Sequence, residues 1–564
     1  MKKKRITLLS LVLVLCLSTA LLAGCGGKPA SSGNAAGGTA TSAGDAQDNT
    51  VVLAIQQNSF ITDYKDNYMT KLLEEQLGIN IEFYMLPADN DECRTKLSLM
   101  ATSSEGLPDV IFVDGVLSNE AILQYGQNGF FLPLNEYAED ASLMPNFNSI
   151  PAGDREEILQ SMAQADGNMY SFPKFKPEYW TLAAHRTYIN KAWLDELDLD
   201  VPTTTEELKT VLTAFRDQDP NGNGVQDEMG VYGWAPGTYG ENVTAVLMNA
   251  FTFWNANVQN GGLALADGKV YAPYTTDAWR EGLRYMNDLY NEGLLAASIF
   301  TDDNTQFKAT LNTETPIVGF VSAGSYSNWP NAAENPNFLQ LQLMPPLTGP
   351  EGVRYSPSIS YSPIQTAFVV NGTDKVSQVI SLIDAFYDQD MGITSINGIK
   401  DVDWTMDPEI TSQQTNAYVE AGLSDGIQFV LLNDIWPTQQ NTNWHEINPK
   451  YVSFDLGNAQ YDFSTGKHFD PDDPTQLNAK SYEYYFNEHP EELLPVLKYD
   501  ISEIDANQDA ITTIPDYAKQ CLAEFVTGAR SIDTGWDTYL AELDSMGLQQ
   551  WLEAAQAAYG RAQG

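Results

Sequence analysis

Cysteine is scarce in this sequence, with four residues among 564. Cys16 lies in an apolar N-terminal stretch and Cys25 directly follows that stretch, which leaves Cys93 and Cys521 for the body of the protein. These two can form at most one disulfide, and the sequence does not decide whether they pair. The absence of a Cys-x-x-Cys motif excludes the metal and redox sites that use this spacing. Stability therefore has to come from a hydrophobic core.

Histidine is equally scarce, and none of the four residues, His185, His445, His468 and His489, pairs with another at metal-ligand spacing. The sequence also lacks a G-x-S-x-G elbow, an H-E-x-x-H zinc motif and a G-x-x-x-x-G-K-[ST] phosphate loop. These absences argue against the enzyme classes that depend on those motifs. Paired carboxylates stay open, because 75 Asp and Glu residues offer many pairs. A secreted glycoside hydrolase is therefore an alternative function.

Positive charge is the third deficit, since 30 Lys and Arg stand against 75 Asp and Glu for a net charge of −45. A surface of this sign repels nucleic acid and anionic membranes, so neither is an expected partner. It also disfavours a strongly anionic ligand unless basic groups gather locally. A neutral ligand is the simpler expectation.

The N terminus carries a long apolar run at residues 6–22, after MKKKR and before Ala23, Gly24 and Cys25. This order is typical of a lipoprotein signal, whereas an apolar run of about 17 residues barely spans a bilayer as a helix. We predict a signal peptide at 1–24, then lipidated Cys25 and a flexible Gly- and Ser-rich tether at 25–50. The protein is then expected outside the cytoplasm, anchored to the cell membrane by its N-terminal lipid.

Strand and helix patterns alternate after the tether. Residues 51–55, 79–84 and 110–113 have strand patterns, and residues 67–77 and 92–101 between them have apolar positions at helical spacing. This order predicts a parallel sheet with helices on its faces, so the fold class is α/β. The folded part exceeds five hundred residues, and a chain of that size divides into at least two lobes.

The most informative stretch is residues 217–234, DQDPNGNGVQDEMGVYGW. From Asp219 onward, Asp219-x-Asn221-x-Asn223-Gly224 matches the D-x-[DN]-x-[DN]-G opening of a calcium loop, in which the glycine makes the sharp turn. An EF-hand needs a bidentate Glu at the twelfth position, but Gly230 stands there and a strand pattern follows. Glu228 must then complete the coordination. The predicted ligands of one structural Ca²⁺ are Asp219, Asn221, Asn223, Val225 through its carbonyl, Asp227 and Glu228.

The alternative for this stretch is a polar turn, because Asp and Asn favour turns without any metal. A helix is predicted immediately before it. Residues 203–206, TTTE, form a capping-box start, and one apolar face follows at Leu208, Val211, Leu212 and Phe215. A bound ion would therefore join the end of this helix to the start of a strand. A further helix pattern at 547–559 lies near the C terminus.

Tryptophans in polar stretches are the candidates for ligand binding. A sugar ring has apolar faces edged by hydroxyls, so its site needs flat aromatic rings beside amides or carboxylates. Trp329 and Trp444 are the stronger candidates because their surroundings are polar and loop-like. Core packing is the alternative for each residue, and helical spacing assigns Trp193 and Trp279 to the core. The candidate set is Trp180, Trp234, Trp254, Trp329, Trp404 and Trp444.

Three segments in sequence order resemble one protein family: residues 186–195 (RTYINKAWLD), 201–208 (VPTTTEEL) and 219–224 (DPNGNG) with the Asp227-Glu228 pair. Together they closely resemble the carbohydrate-binding extracellular solute-binding proteins of family 1, and within it the lipoprotein branch with a calcium loop that includes alginate-oligosaccharide binders. The resemblance implies a two-lobed clamshell that captures a sugar outside the cell and passes it to an ABC importer. It also implies the same six calcium ligands.

We therefore expect an α/β, periplasmic-binding-protein-like clamshell with discontinuous lobes and hinge crossovers. Residues 51–165 plus 310–370 are predicted to form the N-terminal lobe, and residues 166–309 plus 371–564 the C-terminal lobe with the calcium loop. The expected partners are an oligosaccharide and the permease subunits of an ABC transporter. The expected protein is a monomer without enzymatic activity, and a carbohydrate-binding surface adhesin without transport is a further alternative.

Overall fold

The computed structural model describes most of the chain after the predicted tether. The described residues are 49–103, 106–237, 239–256, 258–324, 328–330, 335–420, 422–433, 435–436, 438–462 and 483–563, without the side chains of Tyr179, Trp180, Ala417 and Asp462. The predicted signal peptide, Cys25 and nearly all of the tether lie outside the described residues. Within the described part, no helix combines the length and the apolar character needed to cross a membrane.

The described strands form two principal sheets and two small ones. In chain order they are β1 (Thr50–Gln56), β2 (Asn80–Leu86), β3 (Val110–Phe112), β4 (Phe172–Phe175), β5 (Thr187–Asn190), β6 (Met229–Tyr232), β7 (Ala264–Ala266), β8 (Lys269–Tyr271), β9 (Val318–Ser322), β10 (Leu341–Met344), β11 (Ile364–Val369), β12 (Trp404–Thr405), β13 (Phe429–Leu431), β14 (Lys450–Tyr451) and β15 (Gln460–Asp462).

A six-stranded sheet has the order β14-β4-β11-β3-β1-β2. β1 pairs in parallel with β2 and β3, so that Leu53 lies opposite Phe83 on one side and Val110 on the other. β11 runs antiparallel to both of its neighbours. The nearly continuous apolar sequence of β1 suits a strand that is buried on both faces. The predicted alternation of strands and helices at the N terminus is therefore confirmed.

Helices cover both faces of this sheet because alternate residues of β1 point to opposite sides. Leu53 and Ile55 pack in one core with the helices Tyr68–Leu77 and Val376–Ala385. Ala54 packs in the other core with the helices Asn90–Ala101 and Asn119–Gln127.

The other described α-helices are Asn135–Glu139, Pro145–Ser149, Ala152–Met162, Tyr179–Leu182, Lys191–Glu196, Thr205–Gln218, Val243–Met248, Asp277–Asn291, Asn304–Leu311, Gln389–Asn397, Pro408–Thr411, Ala417–Glu420, Phe454–Asn458, Ile501–Thr527, Ile532–Ser545 and Leu548–Ala562.

A four-stranded sheet with the order β10-β5-β9-β6 has its own core. Its β6 and β9 run parallel, and the other two pairs are antiparallel. The helices Asp277–Asn291, Ile501–Thr527, Ile532–Ser545 and Leu548–Ala562 contribute buried side chains to the same core. The C-terminal helices thus stabilise a sheet whose strands lie more than 150 residues earlier in the sequence.

The helix Thr205–Gln218 packs on this second core as its sequence pattern predicts. It begins with a capping box in which Thr204 and Glu207 exchange side-chain to backbone hydrogen bonds. Its buried face contains the predicted residues Leu208, Val211, Leu212 and Phe215.

The chain passes between the two sheets more than once. It leaves the first sheet after β4, enters the second at β5, and returns from β10 to β11. The predicted lobe boundaries place β4 and β14 in the C-terminal lobe and β9 and β10 in the N-terminal lobe. In the structure β4 and β14 pair in the six-stranded sheet, and β9 and β10 pair in the four-stranded sheet. Those boundaries were drawn from local patterns, and long-range strand pairing leaves no local pattern in the sequence.

The two cysteines of the body lie in separate cores. Cys93 is buried beside the six-stranded sheet and Cys521 beside the four-stranded sheet. In the described part of the chain neither forms a disulfide. Burial raises the pKa of both thiols, so neither is a reactive thiolate near neutral pH.

Candidate functional site

The loop at residues 219–228 connects the helix Thr205–Gln218 to β6, which is the position that the sequence predicts. Asp219 ends the helix with a left-handed backbone at φ 47°. Its carboxylate accepts a hydrogen bond from the Gly224 amide at 3.0 Å. Asn221 and Asn223 accept hydrogen bonds from the amides two residues later, at 3.0 and 2.6 Å. These turns direct the side-chain oxygens toward the inside of the loop.

The carboxylates of this loop form a candidate cation site. Among the described residues, no group donates a hydrogen bond to either carboxylate oxygen of Glu228, or to Oδ1 of Asp219. Glu228 is 8% exposed. Its burial raises the pKa of its carboxyl, opposed in part by the nearby backbone amides of Glu228 and Asp227 and supported by the charges of Asp219 and Asp227. Buried acidic oxygens without donors are costly, and a metal ion removes that cost.

The remaining predicted ligands surround the Asp227 carboxylate. The side-chain amides of Asn221 and Asn223 both donate to it, at 3.1 Å. Val225 is exposed, and its carbonyl accepts a hydrogen bond from the Asp227 amide at 3.0 Å. No cluster of three or more His, Cys, Asp or Glu side chains within the described ranges has metal-binding geometry. The donor set of the loop is mixed, because amide and backbone oxygens complete it, and such a set suits Ca²⁺.

The tryptophans predicted to bind ligand are mostly core residues in this structure. Trp254 packs edge-to-face against Trp279 with ring centroids 4.9 Å apart. Trp329 packs against Phe338 at the same centroid distance. Trp404 is fully buried and donates its indole N–H to the Gly398 carbonyl at 2.9 Å. A ring enclosed by protein in this way presents no face to a sugar.

Trp444 is also fully buried, although its sequence neighbourhood is polar. Its indole N–H donates to the hydroxyl of Thr70 at 2.9 Å, and its ring packs against Phe83 and Phe112. The prediction of an exposed Trp444 is wrong because its polar neighbours, Asn441 to Asn443, form hydrogen bonds with residues 67–69. Trp234 is half-buried in the loop after β6. The side chain of Trp180 lies outside the described part of the structure.

A group of charged side chains that the sequence analysis did not single out lies at one edge of the six-stranded sheet. Glu446 is at its centre, with the ammonium groups of Lys176, Lys450 and Lys174 at 3.2, 3.4 and 3.6 Å. Lys174 also pairs with Asp114 at 2.8 Å, and Lys176 pairs with Glu178 at 3.1 Å. We call these residues the ionic cluster: Asp114, Lys174, Lys176, Glu178, Glu446 and Lys450.

Burial and charge compete within the ionic cluster. Burial disfavours ionisation of Glu446, but the three lysines outweigh it and hold the pKa of this carboxyl well below its usual range. Burial lowers the pKa of Lys450 to about 7, although Glu446 opposes this shift. Three lysines face three carboxylates, so the cluster has no surplus of positive charge, and the lowered pKa of Lys450 reduces its positive charge further near pH 7.

The ionic cluster lies where ligands bind in many α/β proteins. Asp114 follows the carboxyl end of β3, and β1 ends beside it at Gln56, whose side chain accepts a hydrogen bond from the Asp114 amide at 3.3 Å. Crevices at the carboxyl ends of parallel strands are the usual ligand sites of open sheets. A sequence signal existed, because Lys174 and Lys176 interrupt the otherwise apolar run at β4.

Side chains associated with the four-stranded sheet reach the same region. Tyr239 lies on the loop after β6 and is 40% exposed. Burial raises the pKa of its hydroxyl, the Arg186 guanidinium lowers it and the Glu178 carboxylate raises it. Gly240 allows this loop to approach closely, because a Cβ there would lie 2.3 Å from the Ala184 carbonyl. The loop after β6 therefore packs against Ala184 and Gly324, which lie on the segments that follow Glu178 and β9.

Two curated relatives indicate the kind of protein that has this sequence. The fructooligosaccharide ABC transporter substrate-binding protein FusA of Streptococcus pneumoniae serotype 4 is 25% identical over 516 residues, which cover 89% of this chain and 88% of FusA. Lipoprotein LipO of Bacillus subtilis is 23% identical over 61% of this chain and 66% of LipO. No family model matches the chain. The resemblance to substrate-binding proteins of ABC transporters is confirmed by these relatives.

Solved structures show the same fold. An extracellular solute-binding protein from Bifidobacterium longum subsp. infantis has a TM-score of 0.73 at 21% identity, covering 91% of this chain and 98% of that one. An EF-hand mutant of FusA in complex with fructo-nystose has a TM-score of 0.70 at 22% identity, with 91% and 99% covered. The predicted class, a two-lobed α/β clamshell of the solute-binding type, is confirmed.

A third neighbour connects this fold with calcium. The alginate-binding protein AlgQ2, in a structure without its calcium ion, has a TM-score of 0.61 at 19% identity and covers 91% of this chain and 98% of that one. The EF-hand of FusA and the calcium ion of AlgQ2 are features of those proteins.

Proposed function

We propose that this protein captures an oligosaccharide outside the cytoplasm and delivers it to an ABC importer. The supporting observation is that the loop carrying Tyr239 packs on Ala184, in the segment that runs from Glu178 of the ionic cluster to the four-stranded sheet. FusA, a fructooligosaccharide-binding protein of an ABC transporter, aligns with 89% of the chain. A ligand held by groups of both lobes stabilises the closed form that a transporter recognises.

The ligand we propose is neutral and rich in hydroxyl groups. A hydroxyl can donate to a carboxylate and accept from an ammonium group, so it bonds to either kind of residue in the ionic cluster. The cluster has no surplus positive charge to attract an anion, and the whole protein is strongly acidic. A neutral oligosaccharide satisfies both conditions.

We propose lobe boundaries that are based on the strand pairing. We assign the six-stranded sheet and the helices on its two faces to one lobe, and the four-stranded sheet with the three C-terminal helices to the other. The connections from β4 to β5 and from β10 to β11 are then the hinge crossovers. Lobes made of separate chain segments can rotate about such connections, which is the usual closure of this architecture.

The loop at 219–228 is proposed to hold one structural Ca²⁺. The buried oxygens of Glu228 and Asp219 would become ligands together with Asn221, Asn223, Asp227 and the Val225 carbonyl. The ion would neutralise the loop's carboxylates and fix the end of the helix Thr205–Gln218 against β6. It lies on a connection of the four-stranded sheet, so its role is to stabilise that lobe.

The cellular setting is proposed from the sequence and the relatives. Lipidation of Cys25 would anchor the protein outside the cytoplasm, the tether would give it reach, and the permease of the ABC importer would be its partner. The relatives are named as binding proteins or a lipoprotein, and we propose a monomer that binds without catalysis.

The proposal is tested with a panel of kestose, fructo-nystose, an alginate oligosaccharide and maltotriose. Calorimetry is expected to show binding of at least one neutral member at a stoichiometry of one, and chromatography is expected to show no cleavage. Products in excess of one per protein would identify an enzyme instead. Failure to bind any member would contradict the proposed function for these sugars.

A further inference from the structure

Three aromatic rings form a stack at the same edge of the six-stranded sheet. The ring of His445 lies between Trp436 and Phe60, with centroid distances of 3.8 and 4.9 Å and interplanar angles of 24° and 13°. Trp436 is the outer ring and is 41% exposed, whereas His445 is 9% exposed. We call Phe60, His445 and Trp436 the aromatic stack.

Hydrogen bonds fix the middle ring of the stack. The side-chain amide of Asn58 lies 3.1 Å from Nδ1 of His445, and the backbone carbonyl of Trp436 lies 3.1 Å from Nε2. The amide is a donor and the carbonyl is an acceptor, so the network assigns an accepting Nδ1 and a protonated Nε2. Burial lowers the pKa of His445, which keeps the ring neutral at physiological pH. The support beneath Trp436 therefore does not depend on pH in that range.

The backbone that carries the stack is tied to the sheet. Ile61 and Gln440 form a parallel bridge, and the Gln440 amide donates to the Phe60 carbonyl at 2.8 Å. The side-chain amide of Asn67 donates to the Asn443 carbonyl at 2.9 Å. The segments 60–67 and 440–443 thus hold each other in place, and the position of the stack is set before any ligand binds. A site held in this way loses little entropy on binding.

Two consecutive residues next to the stack have a strained backbone. His445 and Glu446 have φ values of 52° and 64°, in the left-handed region that favours glycine. Asn443 holds this bend, because its side-chain oxygen accepts a hydrogen bond from the His445 amide at 3.0 Å. Strain of this kind is retained where the surroundings impose it, and it clusters at functional sites. Here it directs one side chain into the stack and the next into the ionic cluster.

We propose that Trp436 is a platform on which one sugar ring of the bound oligosaccharide stacks, beside the ionic cluster that bonds the hydroxyls. An indole covers the apolar face of a sugar, and the charged groups near it suit the polar edge. A protein partner would instead require a broad apolar surface, whereas Trp436 is the one exposed large hydrophobic side chain among the described residues of 433–446. The inference rests on the proposed function and assigns a binding residue to it.

The test compares Trp436→Ala, Trp436→Phe and a matched control, Tyr68→Ala. Tyr68 is another exposed aromatic residue, at 37%, and lies at the start of the helix Tyr68–Leu77. Calorimetry uses each panel sugar that the wild-type protein binds. We expect Trp436→Ala to weaken binding at least about tenfold. The phenyl ring of Trp436→Phe should retain binding within about threefold, and Tyr68→Ala should leave it unchanged, with all melting temperatures near that of the wild type.

Acrylamide quenching of tryptophan fluorescence gives an independent readout. Addition of the bound sugar should protect part of the emission in the wild-type protein, and this protected part should be absent from Trp436→Phe. Wild-type affinity in a folded Trp436→Ala variant would overturn the platform while leaving the proposed function intact. A wild-type protein that binds no panel sugar would overturn both, so the two failures are distinguishable.

Discussion

The loop at 219–228 and the ionic cluster are both polar and partly buried, but they are built in opposite ways. The loop is one short segment with three carboxylates, and two oxygens of its Glu228 receive no hydrogen bond from the described residues. The ionic cluster combines residues from 114, from 174–178 and from 446–450, and its three lysines balance its three carboxylates. A surplus of buried negative charge calls for a cation, whereas a balanced cluster is complete without one.

The two sites should respond differently when a charge is removed. Loss of the Glu446 charge should lower the free energy of unfolding more than loss of the Glu228 charge does in calcium-free protein. In the first case buried lysines lose their counterion, and in the second a buried carboxylate without a partner disappears. Unfolding experiments on variants of the two sites can measure this difference.

The largest effect is expected for Glu446→Gln. It leaves Lys450, which has no exposed side-chain surface, without its ion-pair partner. Breaking a buried pair from one side typically costs about 3 kcal/mol or more. Urea unfolding should show this loss, and the double variant Glu446→Gln with Lys450→Met should recover part of it. The exposed control Glu409→Gln should change the free energy of unfolding by less than about 0.5 kcal/mol. An equal loss in the double variant would show that the two charges do not act together.

Calcium is expected to produce the second largest effect. Addition of Ca²⁺ to EDTA-treated protein should stabilise the fold by about 2.7 kcal/mol when the free ion is at about 100 times its dissociation constant. Differential scanning calorimetry would record the rise in melting temperature. Sugar affinity should stay within about twofold, because the loop lies outside the ionic cluster. An unchanged melting temperature after calcium addition would contradict the proposed calcium site at 219–228.

The smallest effect is expected for Glu228→Gln in calcium-free protein. The raised pKa means that folding favours the protonated carboxyl, so this group's contribution to stability is present at low pH and is lost as pH rises through its folded pKa. The variant should therefore be more stable than the wild type at pH 7, by about 1 kcal/mol, and equal to it near pH 4.

The same variant should also lose most of the stabilisation by calcium. Glu281→Gln is the matched control, because Glu281 is an exposed helix residue, and its calcium response should equal that of the wild type. Destabilisation of calcium-free Glu228→Gln at pH 7 would contradict the view that this carboxylate lacks a partner in the folded protein.

Local patterns predicted several elements well. The strands and helices from residue 50 to 112 and the capping box at Thr204 occur where the sequence indicates, because apolar period and capping depend on near neighbours. The prediction missed the helices Ile501–Thr527 and Ile532–Ser545. The first contains Pro515 and many polar residues, and its buried positions are explained only by the core of the four-stranded sheet.

The tryptophans show the limit of local patterns most clearly. Trp444 and Trp436 stand in the same polar stretch, yet the first is fully buried and the second is exposed. Residues 440–443 form hydrogen bonds with the segment at 60–69. These bonds place the Trp444 ring in the core of the six-stranded sheet, whereas the Trp436 ring stays at the surface. The polar neighbours of Trp444, Asn443 and His445, would suggest the more exposed position, and the structure shows the reverse.

The sequence by itself determined the α/β class, the acidic charge, the helix and strand around residues 205–232, and the loop between them. Each of these depends on interactions that span a few residues. Long-range contacts set which tryptophans are covered and how Asp114, Lys174, Glu178 and Glu446 meet. Those outcomes depend on pairing between strands hundreds of residues apart, and the free energy of such contacts is not recorded in any short segment.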